Sequence, residues 1–410
     1  MTRWLNMAWR NIWRTRARSS FLIATVALGC ASLLLFACYI QATIAGLRES
    51  VVRGGTGHIQ LAIRGQFDGV EEQQLQFGLI AEEQHRLERV LRGDDRVRRV
   101  APRLAFGGLI STGQRTLTFQ GTGVDPDLER QAFGQFVHVE TGRMLTGAAD
   151  DRYAAILGRE LARRLDVRPG DNVTVMTSTV HGAINALDLR VQGTVSTGSP
   201  DADLYFLQLP LASGQELLRT RKVSRLIALL KSTDDTDGLA AAMRDRLGTS
   251  VEIRTWRQLN PIYEQVLALY ATQFTVFGVI ISSVVFLNVA TITLTNVVER
   301  AREIGIMRSM GISAGSVRML YACEGFLQAC AGAMLGIATA LVCIGLNRIA
   351  DIRLPPPPGR NTPVPLMLLW ANDSALLVTV TLVAIASCAA YLMSRRISLS
   401  RITKLVGGPA

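Results

Sequence analysis

Long apolar runs alternate with polar segments along this chain, and four of the runs are long enough to cross a membrane. They cover residues 21–45, 265–298, 319–347 and 374–394, and Glu324 is the one charged residue inside them. A helix of roughly 20 apolar residues spans a hydrocarbon core of about 30 Å. Helices of soluble proteins rarely stay apolar on every side for so long. We therefore predict four transmembrane spans rather than four buried core helices.

The first run could instead be the apolar core of a cleaved signal peptide. Such cores contain about 7–15 residues and end at a small-residue cleavage site. Residues 21–45 form a longer run without a clear cleavage site, so we predict a retained first span.

Basic residues flank the spans on one predicted side. Within short flanking segments, an excess of Lys and Arg marks the cytoplasmic side. The segments concerned contain Arg3, Arg10, Arg14, Arg16 and Arg18 before span 1; Arg300, Arg302, Arg308 and Arg318 between spans 2 and 3; and Arg395, Arg396, Arg401 and Lys404 after span 4. This distribution predicts that both termini are cytoplasmic and that the large segment between spans 1 and 2 is extracytoplasmic.

These patterns predict the following organisation. The segments are a cytoplasmic amphipathic segment (1–20), span 1 with a stalk (21–53), an extracytoplasmic domain (54–259), a stalk with span 2 (260–298), a cytoplasmic segment (299–318), span 3 (319–347), an extracytoplasmic loop (348–373), span 4 (374–394) and a cytoplasmic tail (395–410). Asn260-Pro261 is typical of a helix start. A helix from Pro261 to about Arg300 would be roughly 60 Å long at 1.5 Å per residue, about twice the hydrocarbon thickness, so its excess would form the stalk.

The extracytoplasmic domain has the pattern of an α+β fold. Alternating residues predict strands at 57–63, 116–121, 173–176, 187–195 and 226–230, and helical spacing predicts helices at 82–91, 159–165, 211–218 and 239–247. Strands and helices interleave irregularly, which favours α+β over a doubly wound sheet. All six cysteines fall inside the spans, so this domain has no disulfide framework.

Composition and motifs give little support to catalysis. The net charge of +11 is mostly explained by the cytoplasmic flanks, so nucleic-acid binding is not needed to explain it. The chain contains no GxxxxGK[ST] phosphate loop, no HExxH and no GxSxG. Its histidines are scattered, and no cysteine or histidine spacing suggests a metal site. We predict a non-enzymatic membrane subunit without a cofactor or metal of its own.

Two further patterns stand out near span 3. Between spans 2 and 3, Ile304, Ile306, Met307 and Met310 form an apolar stripe. An amphipathic segment of this kind can connect two spans along the membrane surface, or it can dock in the groove of a cytoplasmic partner. Within span 3, Gly332 and Gly336 have small-xxx-small spacing, and Gly325 lies further towards its start. Small residues allow close helix approach, so we predict packing roles for these three glycines.

The segment after span 2 also resembles a known family. Its pattern ER-x-REIGI-x-R-x-x-G, followed by a basic residue, an acid and a glycine-rich span, resembles the FtsX/MacB/LolC-type permeases, which have the type VII fold of ABC transporters. The matching residues are Glu299, Arg300, Arg302, Glu303, Ile304, Gly305, Ile306, Arg308, Gly311, Arg318, Glu324 and Gly325. The layout of one span, a large outer domain and three spans is similar to that of the family.

Motifs outside this segment extend the resemblance over nearly the whole chain. Arg10-Asn11-x-x-Arg14 is similar to the family's entry segment. Gly142-Arg143, Leu157-Gly158-x-x-Leu161-Ala162-x-x-Leu165 and Pro169-Gly170-Asp171 are similar to its periplasmic core domain. The stretches 55–60 and 123–126 look closest to the lipoprotein-releasing LolC/LolE branch.

The resemblance implies a mechanism and a set of partners. Glu299, Arg300, Arg302, Glu303, Ile304, Gly305, Ile306, Met307, Arg308 and Gly311 would form a coupling helix seated on a separate ABC ATP-binding subunit, present in two copies, which would bind ATP and Mg. A second permease, identical or homologous, would complete the bacterial inner-membrane complex. The complex would work by mechanotransmission, in which movement driven by ATP is passed through the membrane to the periplasmic side. A periplasmic acceptor or adaptor protein would be its partner there.

Three hypotheses about what the complex does in the periplasm stay open. The first is extraction of a lipoprotein or another amphiphile from the membrane. The second is an FtsX-like regulator of a cell-wall hydrolase, and the third is a MacB-like pump with an adaptor and an outer-membrane channel. The size of the outer domain favours the first and third, and an apolar groove between spans 1 and 2 would favour the first.

Overall fold

A computed structural model describes residues 12–14, 16–67, 78–133, 138–350, 352–354 and 364–398. It divides into two compact units. The helical unit comprises Met1–Ala45, Val266–Arg353 and Pro365–Ala410, and the mixed unit comprises Gly46–Gln265 and Leu354–Val364. Most of the predicted amphipathic segment 1–20, residues 355–363 of the predicted loop 348–373 and most of the tail 395–410 lie outside the described residues.

Helices and strands are numbered here in chain order. The α-helices are α1 Arg16–Val51, α2 Ala81–Arg92, α3 Pro126–Phe133, α4 Arg159–Leu165, α5 Pro200–Asp203, α6 Leu211–Leu218, α7 Thr236–Leu247, α8 Trp256–Leu259, α9 Pro261–Glu299, α10 Ala301–Ser309, α11 Ala314–Ala350 and α12 Asn372–Ser398. The strands are β1 Ile59–Ile63, β2 Val97–Ser111, β3 Thr116–Val124, β4 His138–Gly142, β5 Ala154–Gly158, β6 Asn172–Ser178, β7 Ile184–Ser196, β8 Phe206–Pro210, β9 Arg225–Leu230, β10 Val251–Thr255, β11 Arg353–Leu354 and β12 Val364–Pro365.

Four helices of the helical unit are long and apolar enough to cross a membrane. These helices are α1, α9, α11 and α12, and their most apolar 18-residue windows have mean hydropathies of 2.1 to 2.4. Valine and leucine from α1 and α9 pack with alanines of α11 and α12 in the buried core. Small side chains in α11 and α12 let helix backbones come close together, as is common when helices pack in lipid.

The mixed unit is built around one large, mostly antiparallel sheet. The strand order is β10-β1-β9-β2-β3-β8-β5-β7-β4, and β6 pairs with both β2 and β7. Two neighbouring pairs, β3 with β8 and β5 with β7, are parallel. Together with the interspersed helices, this arrangement confirms the predicted α+β fold of the domain.

Two hydrophobic clusters support this sheet. One contains Leu104, Phe106, Leu157 and Val191 and includes side chains of α4 and α6. The other contains Ile59, Leu226 and Met243 and includes side chains of α2 and α7. The five predicted strands and four predicted helices of this domain are all present, whereas β2, β4, β5, β8 and β10 were not predicted from the sequence.

The longest helix begins where the sequence predicted. Helix α9 starts at Pro261 and ends at Glu299, a length of 39 residues. The Asn260 side chain donates a hydrogen bond to the Trp256 carbonyl at 2.9 Å, and the backbone N–H of Tyr263 donates to the Asn260 carbonyl at 3.0 Å. Asn260 therefore links the end of α8 to the first turn of α9.

Candidate functional site

The segment between α9 and α11 forms a short helix bounded by two turns. Arg300 leaves the helical conformation, with φ −96° and ψ 16°, and α10 follows from Ala301 to Ser309. Gly311 then has φ +92°, a left-handed conformation that favours glycine. The Ser313 hydroxyl accepts a hydrogen bond from the Ser316 backbone N–H at 3.2 Å and so caps the start of α11.

The predicted helix from Pro261 to about Arg300 ends at Glu299, and Arg300 interrupts the helical conformation. The break changes the direction of the chain so that Ile304 packs in a cluster with Val297 of α9 and Tyr321 of α11. Residues 301–309 therefore form a separate helix rather than an extension of α9.

One face of α10 is buried within the chain. Ile304 is 0% exposed, and Gly305 beside it is also buried. Met307 and Ile312 are half-buried and pack against the same cluster, which includes Val317. This inward face attaches α10 to the ends of the two long helices, so a displacement of α10 is resisted by packed side chains.

The opposite face of α10 is exposed. Arg302, Ile306 and Met310 are spaced four residues apart, which places them on one side of a helix. Ile306 is 48% and Met310 is 70% exposed, and Arg302 is exposed as well. The apolar stripe seen in the sequence is thus divided between an inward half, Ile304 and Met307, and an outward half, Ile306 and Met310.

The remaining residues of the predicted coupling set lie around these two faces. Glu299 and Glu303 are exposed, Arg300 and Arg308 are half-buried, and Gly311 is exposed in the turn after α10. We name the exposed surface formed by Arg302, Ile306 and Met310 the α10 outer face.

Two ion pairs connect this segment to the N-terminal part of the chain. Arg18 of α1 contacts both carboxylate oxygens of Glu299, with Nη2 2.7 Å from Oε1, and Arg14 Nη2 lies 2.9 Å from Glu303 Oε1. Arg18 also donates to the Asn296 side chain at 3.3 Å. These partners were not predicted from the sequence, because Glu299 and Glu303 lie on different helices on either side of the break at Arg300.

We expect a charge swap to reveal the Arg18–Glu299 pair. Arg18→Glu should lower the melting temperature slightly, because it places two carboxylates together, and adding Glu299→Arg should restore it. The effect is expected to be small, since exposed ion pairs are screened by water. A double-mutant cycle on the purified chain measures it, and strict additivity of the two single changes would contradict the pairing.

The three predicted packing glycines contact neighbouring helices. A Cβ atom on Gly332 would lie 2.7 Å from Val26 Cβ and 2.9 Å from the Ile23 carbonyl oxygen, both in α1. On Gly336 it would lie 2.7 Å from the Ala27 carbonyl oxygen, and on Gly325 it would lie 2.5 Å from Ala390 Cβ of α12. Helix α11 therefore approaches α1 and α12 at positions where no side chain fits.

Replacing Gly332 with alanine should destabilise the helical unit. The new methyl group would have to displace the α1 backbone, and overpacking of this kind typically costs about 1–3 kcal/mol. Gly345→Ala on the same helix is the matched control, because nothing lies within 4 Å of its Cβ position. Thermal unfolding in detergent should separate the two variants, and equal stability would contradict the close contact.

An apolar groove of about 780 Å³ lies between α1, α9 and α12. Leu33 contributes from α1, Phe274, Gly278 and Val279 from α9, and Leu377 from α12, among other residues. Val279 and Leu377 are largely exposed. The groove can therefore accept a long apolar group from its surroundings.

Comparisons with known proteins identify two domain families in the chain. A model of the MacB-like periplasmic core domain matches residues 19–246, and a model of the FtsX-like permease C-terminal domain matches residues 275–400. The second match includes α10 and its flanking turns.

Curated relatives agree with these domain matches. The chain is 24% identical over 272 residues to the lipoprotein-releasing system transmembrane protein LolC of Xylella fastidiosa, covering 63% of this chain and 64% of that protein. It is 26% identical over 263 residues to LolC of Neisseria meningitidis, covering 60% of this chain and 61% of that protein. It is 21% identical over 278 residues to LolE of Haemophilus influenzae, covering 64% of each. The matched regions are slightly less than two thirds of the length of these relatives.

Solved structures are similar to the chain at low identity. The periplasmic region of MacB from Actinobacillus actinomycetemcomitans is 15% identical, with a TM-score of 0.36, covering 52% of this chain and 95% of that one. The extracellular domain of the noncanonic ABC-type transporter YknZ from Gram-positive bacteria is 15% identical, with a TM-score of 0.35, covering 48% of this chain and 99% of that one.

Proposed function

Because this chain belongs to the family of FtsX-like permeases with a MacB-like periplasmic core domain, we propose that it is the membrane subunit of an ABC transporter that works by mechanotransmission. ATP and Mg would bind to a separate ATP-binding subunit, present in two copies. A second permease, identical or homologous, would complete a complex in the bacterial inner membrane with both termini of this chain in the cytoplasm.

The observation that carries this proposal is the exposed α10 outer face on a helix whose other face is fixed to α9 and α11. Exposed Ile306 and Met310, with Arg302 beside them, suit an apolar groove with an acidic rim on a partner. Buried Ile304 and Met307 would then transfer a push on α10 to the long helices. Ile304 thus acts by holding α10 in place, whereas Arg302, Ile306 and Met310 would contact the ATP-binding subunit.

Helix α9 supplies the length that mechanotransmission needs. Its 39 residues extend about 58 Å at 1.5 Å per residue, nearly twice a hydrocarbon core of about 30 Å. One continuous helix leads from the turn before α10 to Pro261. A movement of α10 driven by ATP could therefore reach residues beyond the membrane without a cargo path through the spans.

The proposed work is release of a lipoprotein or another amphiphile to a periplasmic acceptor. The apolar groove between α1, α9 and α12 supports this choice, because acyl chains need an apolar surface that is accessible from lipid. The similarity to LolC and LolE points to the same cargo class. A cell-wall regulator would not need such a groove.

Mass spectrometry of proteins that co-purify from native membranes in mild detergent tests the proposal. We expect an ATP-binding subunit together with acylated lipoprotein. An ATP-binding subunit with an adaptor or a cell-wall hydrolase, and no lipoprotein, would replace the release function with a pump or a regulator. Absence of any ATP-binding subunit would contradict the proposed role of α10.

A photo-crosslinking amino acid at Val279 tests the groove directly. Val279 lines the groove and is 61% exposed, so we expect it to form adducts with acylated protein labelled by radioactive palmitate. Leu335 of α11 is the control, because it is similarly exposed and does not line the groove. Equal protein labelling at both positions, or lipid adducts without protein, would contradict cargo binding in the groove.

A further inference from the structure

The mixed unit contains a second cavity, distinct in composition from the apolar groove. It has a volume of about 260 Å³, slightly below the roughly 300–1,000 Å³ of sites for drug-sized ligands. Its lining residues are mostly polar: Gln66, Phe67, Ala105, Ser224, Arg225, Arg254, Gln258 and Leu259. These residues come from the turn after β1, from β2, from the start of β9, from β10 and from α8.

The cavity contains a guanidinium whose charge no carboxylate among the described residues balances. Strands β2 and β9 pair so that Arg225 lies directly opposite Arg103. Glu129 is bound to Arg103, with distances of 2.7 and 2.9 Å from Arg103 Nη2 to its two carboxylate oxygens. That carboxylate is committed to Arg103, and it also accepts from Gln208 at 3.1 Å.

Arg225 has no comparable partner within the described residues. Its Nε atom is buried there without a hydrogen-bond acceptor. Burial, and to a lesser degree the neighbouring Arg103, lower the pKa of Arg225 to about 10, so the side chain is still protonated at neutral pH. Arg225 as a whole is half-buried. A cation in such a poorly hydrated site is costly without an anion, and the cavity beside it provides room for one.

The other charged residue in the wall is already neutralised. Arg254 Nε lies 2.7 Å from Glu252 Oε1, and its guanidinium stacks over the Phe67 ring at 4.8 Å from the centroid. Gln66 adds an acceptor, because it is 4% exposed and its Oε1 has no hydrogen-bond donor among the described residues. Among the residues that the structure describes, the cavity thus presents one positive charge without a carboxylate partner and one acceptor without a donor.

We propose that this cavity binds a small molecule carrying a carboxylate or phosphate group. The oxyanion would accept hydrogen bonds from Arg225, and a hydroxyl or amine of the same molecule would donate to Gln66. Ser224 and Gln258 are further polar groups in the wall. The bound molecule would also contact Leu259, two residues before the start of α9, and would therefore lie beside the segment that leads into the longest helix.

Thermal unfolding of the purified full chain with added anions tests the site. Inorganic phosphate and acetate are the probes, each titrated against sodium chloride at constant ionic strength. We expect a saturable rise in melting temperature with at least one of them. A response to phosphate but not acetate would assign a phosphate-bearing ligand, and the reverse would assign a carboxylate.

Substitutions of Arg225 distinguish anion binding in this cavity from nonspecific effects of ions on stability. Arg225→Met should raise the half-saturating anion concentration at least tenfold. It should fold without anion, because it removes a half-buried charge that no carboxylate among the described residues balances. Arg98→Met is the matched control, since Arg98 is exposed, and should respond like the unchanged chain. Should Arg225→Met fail to fold, Arg225→Lys keeps the charge and is expected to retain a weakened response.

Two results would overturn the proposal. One is an identical anion response in the unchanged chain and in the Arg225 variants, which would mean ion binding elsewhere. The other is no response to either probe beyond that to chloride, which would mean that water fills the cavity. Both results are independent of whether the chain associates with an ATP-binding subunit.

Discussion

Replacing Gly305 with proline is expected to abolish the stimulation of ATP turnover by this chain while leaving it inserted in the membrane. Proline in a helix interior removes a backbone donor and clashes with the carbonyl four residues earlier, at a cost of about 3 kcal/mol or more. Helix α10 has nine residues, so this change would disrupt most of it. Gly305 also lies on the buried face of α10. The α10 outer face would lose its position against the ATP-binding subunit.

The measurement is ATP hydrolysis by the reconstituted complex, with and without the variant. Ala314→Pro is the matched control, because Ala314 is the first residue of α11, where proline is tolerated. A second variant, Arg302→Glu with Arg308→Glu, keeps the helix but reverses its charge and should also reduce stimulated turnover. Unchanged turnover with Gly305→Pro would contradict the coupling role of α10.

Glu129→Gln is expected to destabilise the mixed unit by about 3–5 kcal/mol, the usual cost of removing one partner from a buried ion pair. Arg103 and Glu129 are 7% and 5% exposed. The amide keeps the shape of the side chain but removes the negative charge paired with Arg103, whose cross-strand neighbour is Arg225. Like charges directly opposite each other on paired strands are destabilising, and here both would be in a poorly hydrated environment.

Thermal or denaturant unfolding of the purified chain measures this loss. Asp127→Asn is the control, since Asp127 forms an exposed pair with Arg130 on the same helix, with both side chains 53% exposed. Exposed pairs contribute at most about 1 kcal/mol, so the control should be nearly neutral. A Glu129→Gln chain as stable as the control would show that Glu129 does not stabilise the arginine pair.

Local patterns predicted much of the architecture. Uncharged runs of more than 20 residues predicted the four long helices, because a helix that is apolar on every side is stable in contact with lipid. The α+β character of the mixed unit followed from alternating and helical spacing. Strand β2 was not predicted, because Arg98, Arg99 and Pro102 interrupt its apolar pattern. Strand β5 was not predicted either, since it is buried throughout and shows no alternation.

The candidate coupling segment was found by its sequence motif, but its two faces were not distinguished. Helical spacing groups Ile304, Ile306, Met307 and Met310 into one stripe. Which of them is buried depends on Val297, Val317 and Tyr321, which pack against one side of α10. The end of α9 was predicted at about Arg300, and the helix ends at Glu299.

The sequence by itself determined the number of long apolar helices, the mixed character of the domain between the first two, and the position of the short segment between α9 and α11. These features depend on the composition and periodicity of neighbouring residues. Tertiary structure decided which charges are balanced: Arg18 by Glu299, Arg103 by Glu129, and Arg225 by no carboxylate among the described residues. The reason is physical, because the charge balance of a buried group depends on residues brought close by folding, and Arg18 and Glu299 are 281 positions apart in the chain.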